Sequence, residues 1–384
     1  LTVLLWDPQI IELQGDFGAL GVTLATLPDS PAVFLIWPHH GSPYLGKTIR
    51  LRRRLLRLLC ERSRHSRILN LRAVVSRVEY CLTGSWLETN LLVYEQARRL
   101  FPESYLSLLK FRKPPYLKIV SSNMFPRTQV TTRLAGARAV YYGPFRSRQA
   151  AEDFENRLLD LFQMRRCQED LEPSPSHPGC IYGEMNMCLR PCQQVVSREE
   201  YQAEVKRVVA FLTSDGRSLL ELVTRARDRL SEEMNFEEAA RQHKLVERIE
   251  QTLKFRDGLV RDIDRLHGIA VTSSISPGAV ELWFFVKGFW QSPIRFPVEA
   301  AGHSTVSLDH RLQEITAMFR PRELTQRERE EHLALLARWR YSSWTDGEWL
   351  PFDRLEDIPY RKLVRAISRV ASKAAMTTYQ RTSE

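Results

Sequence analysis

PAVFLIWPHHGSPYLGKTIRLRRRLLRLL, residues 31 to 59, is the stretch whose reading decides the fold. Its opening, PAVFLIW, is a short apolar run rich in branched and aromatic residues; SPYLG follows after a His-Gly-Ser turn, so the two read as short paired strands. From about Ile49 to Cys60 the period changes. Leu51, Leu55, Leu58 and Leu59 fall at i, i+4, i+7 and i+8 and form one apolar helical stripe, while Arg50, Arg53, Arg54 and Arg57 share the other side. A merely solvated helix face would mix Glu with Arg to gain i, i+4 pairs, and here no Glu precedes Glu61. The arginines therefore converge on whatever lies beside Tyr44.

Working outward, 384 residues with 43% hydrophobic content predict roughly two or three domains with sizeable cores. The formal net charge is +10, and residues 31 to 120 hold 17 Lys and Arg against 5 Asp and Glu. Concentrated positive charge points to a phosphate-rich or anionic partner, with a solvated basic face as the plain alternative. No apolar run approaches the roughly 18 residues that a membrane helix needs. The opening LTVLLWDPQI lacks a basic n-region and a small-residue cleavage site, which predicts a soluble, intracellular chain. The initial Leu predicts a true N-terminus further upstream.

LRAVVSRVEYCLTGSWLETNLLVYEQARRL continues as a strand over Val74 to Cys81, a turn, and a helix with Glu88 in its first turn. The helix dipole explains such a Glu, and its apolar neighbours Leu87, Leu91 and Leu92 also make it a candidate metal ligand. Further on, Cys167, Cys180, Cys188 and Cys192 lie within 26 residues, spaced C-x12-C-x7-C-x3-C. Disulfides are disfavoured inside cells, and the C-x2-C knuckle common in zinc sites is absent. Cys60 and Cys81 sit on apolar faces and read as core residues. From Ser214 to about Phe255 the pattern is helical, with Leu219, Leu222, Val223, Ala226 and Leu230 on one stripe and a turn at Asn235. RLHGIAV and AVELWFFVKG then read as strands, with Asp262 and Asp264 as turn or cap residues. RELTQREREEHLALLARWRY reads as an amphipathic helix.

The order of strand, Tyr-Leu-Gly-Lys strand, arginine helix, strand and glutamate helix resembles a GIY-YIG nuclease domain, in the version found at the front of the UvrC excision-repair family. KPPYLKI, FPR at 125 to 127, YYGPF at 141 to 145 and the helix leading to LFQMRRC are similar to that family in order and spacing, so the resemblance runs from Pro31 to about Phe319. It implies a general-base or water-orienting Tyr44, a supporting Lys47, a phosphate clamp in Arg54, and Glu88 holding one magnesium or manganese ion, with Arg50, Arg53 and Arg57 on DNA. It implies an iron-sulfur cluster, of the four-iron type, on Cys167, Cys180, Cys188 and Cys192. NFEEAAR resembles the UVR motif, which implies docking of a UvrB-type protein with Phe236 as the anchor. The strands after the hairpin resemble the family's RNase H-like platform, here without metal-binding carboxylates on HGIAVTSS. Two positions depart from the pattern: Ala32-Val33-Phe34 lacks the first motif's phenol, and Leu106 follows Tyr105 where the family has Asn.

The expected organisation is an α/β and α+β multidomain protein. It comprises an N-terminal extension (1–30), a GIY-YIG domain (31–120), a linker and cysteine region (121–213), a helical hairpin (214–255), an RNase H-like platform (256–320) and a helical extension (321–384). With no sign of the family's C-terminal nuclease or helix-hairpin-helix parts, the content is closer to the shortened homologue Cho. The expected function is a structure- or damage-specific DNA endonuclease of bacterial nucleotide excision repair, cytoplasmic, cutting on the 3′ side of a lesion in duplex DNA. A catalytically weakened DNA-binding adaptor and a mobile-element GIY-YIG endonuclease are the alternatives.

Overall fold

A computed structural model describes residues 6–13, 17–60, 69–120, 124–135, 139–298, 307–319 and 325–382. The first layer contains β1 (Gln9–Glu12), α1 (Phe17–Ala25), β2 (Ala32–Pro38), β3 (Tyr44–Thr48), α2 (Leu51–Leu59), β4 (Val75–Leu82), α3 (Trp86–Leu100) and α4 (Tyr105–Leu108). Its strands order β1-β4-β2-β3, so β3 is an edge and β4 lies on the far side of β2. The apolar run of β2 is buried on both faces, which is why it alternates in destination rather than in polarity. Ala32, Phe34 and Ile36 pack with the leucines of α1 and α2, whereas Val33 and Leu35 pack with Trp6 and Leu92 of α3. Leu51, Leu55, Leu58 and Leu59 are buried as the stripe predicts. The described residues before β2, expected as an extension, belong to this layer, because β1 pairs with β4 and Leu20 and Leu24 enter its core.

The second layer has β5 (Tyr116–Val120), β6 (Thr128–Thr131), β7 (Ala139–Gly143), α5 (Arg148–Leu159), the one-turn α6 (Ile181–Glu184), α7 (Arg198–Thr213), α8 (Arg217–Glu232), α9 (Phe236–Lys254) and β8 (Arg261–Asp262). The α7 start is a capping box, Ser197 with Glu200. The hairpin α8–α9 forms where the pattern places it, and Asn235 accepts from the Glu238 N–H to start α9. Its base packs into the α5–α7 core through Val223, Val246 and Ile249. Leu222, expected in the buried stripe, is instead 62% exposed, because Val223 marks the centre of the packed face.

The third layer has β9 (His267–Ser273), β10 (Ala279–Val286), β11 (Phe289–Trp290), β12 (Ile294–Pro297), α10 (Leu308–Met318), α11 (Gln326–Tyr341), β13 (Glu348–Phe352) and α12 (Tyr360–Thr382). Residues 321–384, expected as an extension, complete this layer in their described part. β13 pairs with β9, and α12 covers one face of the sheet with Leu363, Ile367 and Val370. Val280, Leu282, Phe284 and Val286 of β10 face that side. Trp283 and Phe285 face the other, where they meet Leu333, Leu336 and Trp339 of α11. Every strand pairing among the described residues is antiparallel, so the mixed helices and sheets are of the α+β kind.

Leu87, Leu91 and Tyr94 of α3 lie in the same apolar cluster as α11. The buried Glu331 carboxylate accepts from Tyr94 Oη and Tyr105 Oη, each at 2.6 Å. Ion pairs Arg98–Glu328 and Lys113–Glu330 flank this seam. No described helix is long and apolar enough to cross a membrane.

Candidate functional site

Alternation along the edge strand β3 decides what its side chains can do together. Tyr44 packs on the α2 side, and Leu45 on the α3 side. Arg54 of α2 donates from Nη2 to Tyr44 Oη at 3.2 Å. Its Nε is shielded from solvent and has no hydrogen-bond partner among the described residues. Phe34 fills the position beneath this pair, its ring centroid 6.1 Å from that of Tyr44. A Cβ at Gly46 would lie 2.4 Å from the Phe34 ring, so this glycine is required by close approach. Arg50, Arg53 and Arg57 are exposed along the outer side of α2.

Lys47 belongs to the other face. Its chain is accessible, but the ammonium group donates to Asn90 Oδ1 at 2.9 Å and sits 4.7 Å from the centroid of the Trp86 ring. Burial of that group, with the nearby Arg338 charge, pulls its pKa down to about 8.

Glu88 is separate from both groups. Trp86 and Asn90 are one turn apart and share the α3 flank beside β3, whereas Glu88 is two residues from each and projects from the opposite flank. There its charge acts on Cys81 of β4, across β2 from β3. Glu88 Oε2 accepts from the Gly84 N–H at 2.7 Å, and the Glu88 N–H donates to the cap Ser85 at 3.1 Å. Burial pushes its carboxyl up to about 7 against that Gly84 bond, and Glu281 and Asp346 of the third layer raise it further. Gly84 abuts the backbone at Ser273–Ile275, so the β9–β10 turn covers this end of α3. Of the residues expected to form one catalytic group, only Tyr44 and Arg54 are in contact. Tyr105 is used at the α11 seam, and Leu106 packs at the edge of the same cluster.

Cys167, Cys180, Cys188 and Cys192 line one small cavity with Arg165, Arg166 and Arg190. Arg165 donates to Cys167 Sγ and the Arg190 N–H to Cys188 Sγ, each at 3.4 Å. Burial pushes the Cys188 thiol up to about 11 and that of Cys192 in the same direction. Among the described residues no three ligand-type side chains close on a single-ion site. The four thiols instead surround a shared space, and the adjoining guanidinium groups suit an anionic thiolate centre. Asn186, Arg190 and Gln194 have left-handed backbone, an unfavourable conformation for three non-glycine residues in one loop. Cys60 and Cys81 contribute to the first layer's cores as expected.

At the hairpin tip Phe236 is 66% exposed beside Met234 at 77%. The sequence reasoning missed the role of Trp86 and Asn90 in holding Lys47 and the contact of the C-terminal segment with this region. The first was available in principle, since residues two apart on a helix cannot face the same way.

Residues 114–211 match the family of the UvrC/Cho excinuclease middle domain. Over about two thirds of its length the chain is UvrC-like. It is 28% identical over 269 residues to the UvrABC system protein C of Lachnospira eligens, covering 69% of this chain and 44% of that protein. It is 25% identical over 271 residues to that of Clostridioides difficile, covering 69% and 45%. To that of Moorella thermoacetica it is 31% identical over 222 residues, covering 57% and 35%. The chain thus spans less than half the length of these relatives. No solved structure matches significantly.

Proposed function

We propose that this chain works in nucleotide excision repair as a UvrC/Cho-like DNA-binding factor whose first layer grips the DNA backbone and whose hairpin recruits a UvrB-type partner. One observation carries the choice over metal-dependent cutting: Glu88 lies on the far flank of α3 from Lys47 and is engaged by Gly84. The flank facing β3 offers Trp86, Asn90 and Val93, of which only the Asn90 amide has a hard oxygen, and Lys47 occupies it. This set does not fit a magnesium or manganese ion, which needs carboxylate, water and phosphate oxygens in its shell. The Tyr44–Arg54 pair offers its remaining donors to a backbone phosphate, and the exposed Arg50, Arg53 and Arg57 add salt-sensitive attraction.

The cysteine cavity fits an iron-sulfur cluster held by Cys167, Cys180, Cys188 and Cys192, which would tie the start of the loop to its end. The exposed Phe236 fits a partner hairpin that the chain's own packing leaves unmet.

The nuclease reading is supported by the intact Tyr44–Arg54 contact and by the likeness to UvrABC system protein C. An end-labelled damaged duplex, incubated with manganese with and without a UvrB-type partner, separates the two. Salt-dependent binding without nicking, weakened by Arg54→Ala, is expected. Nicking on the 3′ side of the lesion that disappears in Tyr44→Phe and Glu88→Gln would overturn the adaptor reading in favour of the endonuclease.

A further inference from the structure

Among the described helices of eight or more residues, two carry basic side chains and no acidic one: α2, whose arginines the proposed DNA contact already uses, and α12. The other charged helices mix the two signs and often pair them internally, as in Arg148–Glu152 of α5, Arg225–Glu221 of α8 and Arg241–Glu238 of α9. On α12, Leu363, Ala366, Ile367 and Val370 are buried against the third sheet, while Arg361, Lys362, Arg365, Arg369 and Lys373 are exposed. At about 100° per residue, these five cations fall within an arc of roughly 120° outside the buried stripe. Four of them recur at every fourth position, which at about 1.5 Å per residue sets successive charges about 6 Å apart over about 18 Å.

Nearby acids do not cancel this row. Glu348 of β13 pairs with Arg369 at 2.6 Å, and Glu356 and Asp357 precede the first turn, where the positive end of the helix dipole favours them. Like charges four apart on a helix destabilise it, so the row is unfavourable in the free protein and is relieved by an anion lying along it. One strand of duplex DNA presents a phosphate about every 3.4 Å of axis, so the row runs beside about five phosphates. The face is separate from that of α2. Helix α12 covers the opposite side of the third sheet from α11, which meets α3, whereas α2 lies across the first sheet from α3. We propose that the exposed face of α12 is a second DNA-backbone site, which holds duplex through its phosphates without reading sequence. This inference rests on the DNA-binding reading above.

The test compares the full chain with the triple variant Arg361→Gln, Arg365→Gln, Lys373→Gln and with the single variant Arg365→Gln. Binding to a fully paired duplex is followed by fluorescence anisotropy between about 50 and 200 mM salt. Loss of three phosphate contacts predicts weaker binding and a slope of log K against log salt shallower by about 2.7, and loss of one by about 0.9. The unfolding midpoint of the triple variant should hold or rise, since like-charge repulsion has been removed; if that variant does not fold, the single variant decides. Unchanged affinity and slope would overturn the proposal while leaving DNA binding intact. A wild type that binds no duplex would remove the DNA-binding reading and the proposal with it. Loss of sedimentation with phosphatidylserine vesicles, with duplex binding unchanged, would assign the face to a lipid surface and also overturn the proposal.

Discussion

Glu88→Gln tests, through the pH dependence of stability, whether the Glu88 carboxyl is buried as the structure places it. The Glu88 carboxyl rises from 4.5 to about 7 on folding, chiefly because burial disfavours its charge. A raised pKa means that the folded protein holds the proton more tightly than the unfolded chain. The group's stabilising effect is then full below pH 4.5 and is lost as pH rises towards 7 and beyond. At 1.36 kcal/mol per pH unit, this predicts a loss of about 3 kcal/mol across that window. The glutamine of the variant cannot ionise, and its amide oxygen can still accept from the Gly84 N–H. Subtracting the variant's urea-unfolding free energies from those of the wild type at pH 5, 6, 7 and 8 isolates this group from other titrating carboxylates. The difference should swing in the variant's favour as pH rises, by about 3 kcal/mol in all. A flat difference would refute the burial of the Glu88 carboxyl.

Anaerobically purified protein should be brown with about four irons per chain, and Cys188→Ser should lose both colour and thermal stability. Colourless protein with one stoichiometric zinc would replace the cluster by a single ion. For the hairpin, Phe236→Ala should weaken binding to a UvrB-type protein at least about 30-fold, the equivalent of about 2 kcal/mol. Because Phe236 is 66% exposed, the unfolding midpoint should stay put. Unchanged affinity by calorimetry would return the tip to solvent.

The elements from β2 to α3 and the hairpin were legible because their signals are local: alternation in β2, a leucine stripe on α2, and an Asn cap before α9. The grouping of Tyr44, Lys47, Arg54 and Glu88 was not, because adjacency in motif order says nothing about which side of β3 or α3 a residue takes. Periods of two and 3.6 carry that information, and they divide the set as observed. The role of residues 326–382 was hidden for a different reason. β13 is only five residues long, and its pairing with β9 spans about 80 positions, so no local pattern announces it. The α11 stripe was visible in Leu333, Leu336 and Trp339, but its partner α3 lies more than 200 residues earlier.

That late pairing determines whether Glu88 could ever be released to bind a metal. Freeing the end of α3 from the β9–β10 turn and from Asp346 requires parting α3 from α11, which exposes Leu87, Leu91, Tyr94, Leu333, Leu336 and Trp339. At roughly 1.5–3 kcal/mol for each large apolar side chain, the cost is on the order of 10 kcal/mol before the Glu331 bonds are counted. A hinge at this seam would also show a polar, loosely packed interface, whereas this one is apolar with a buried carboxylate satisfied by two phenols. The first and third layers therefore move as one unit.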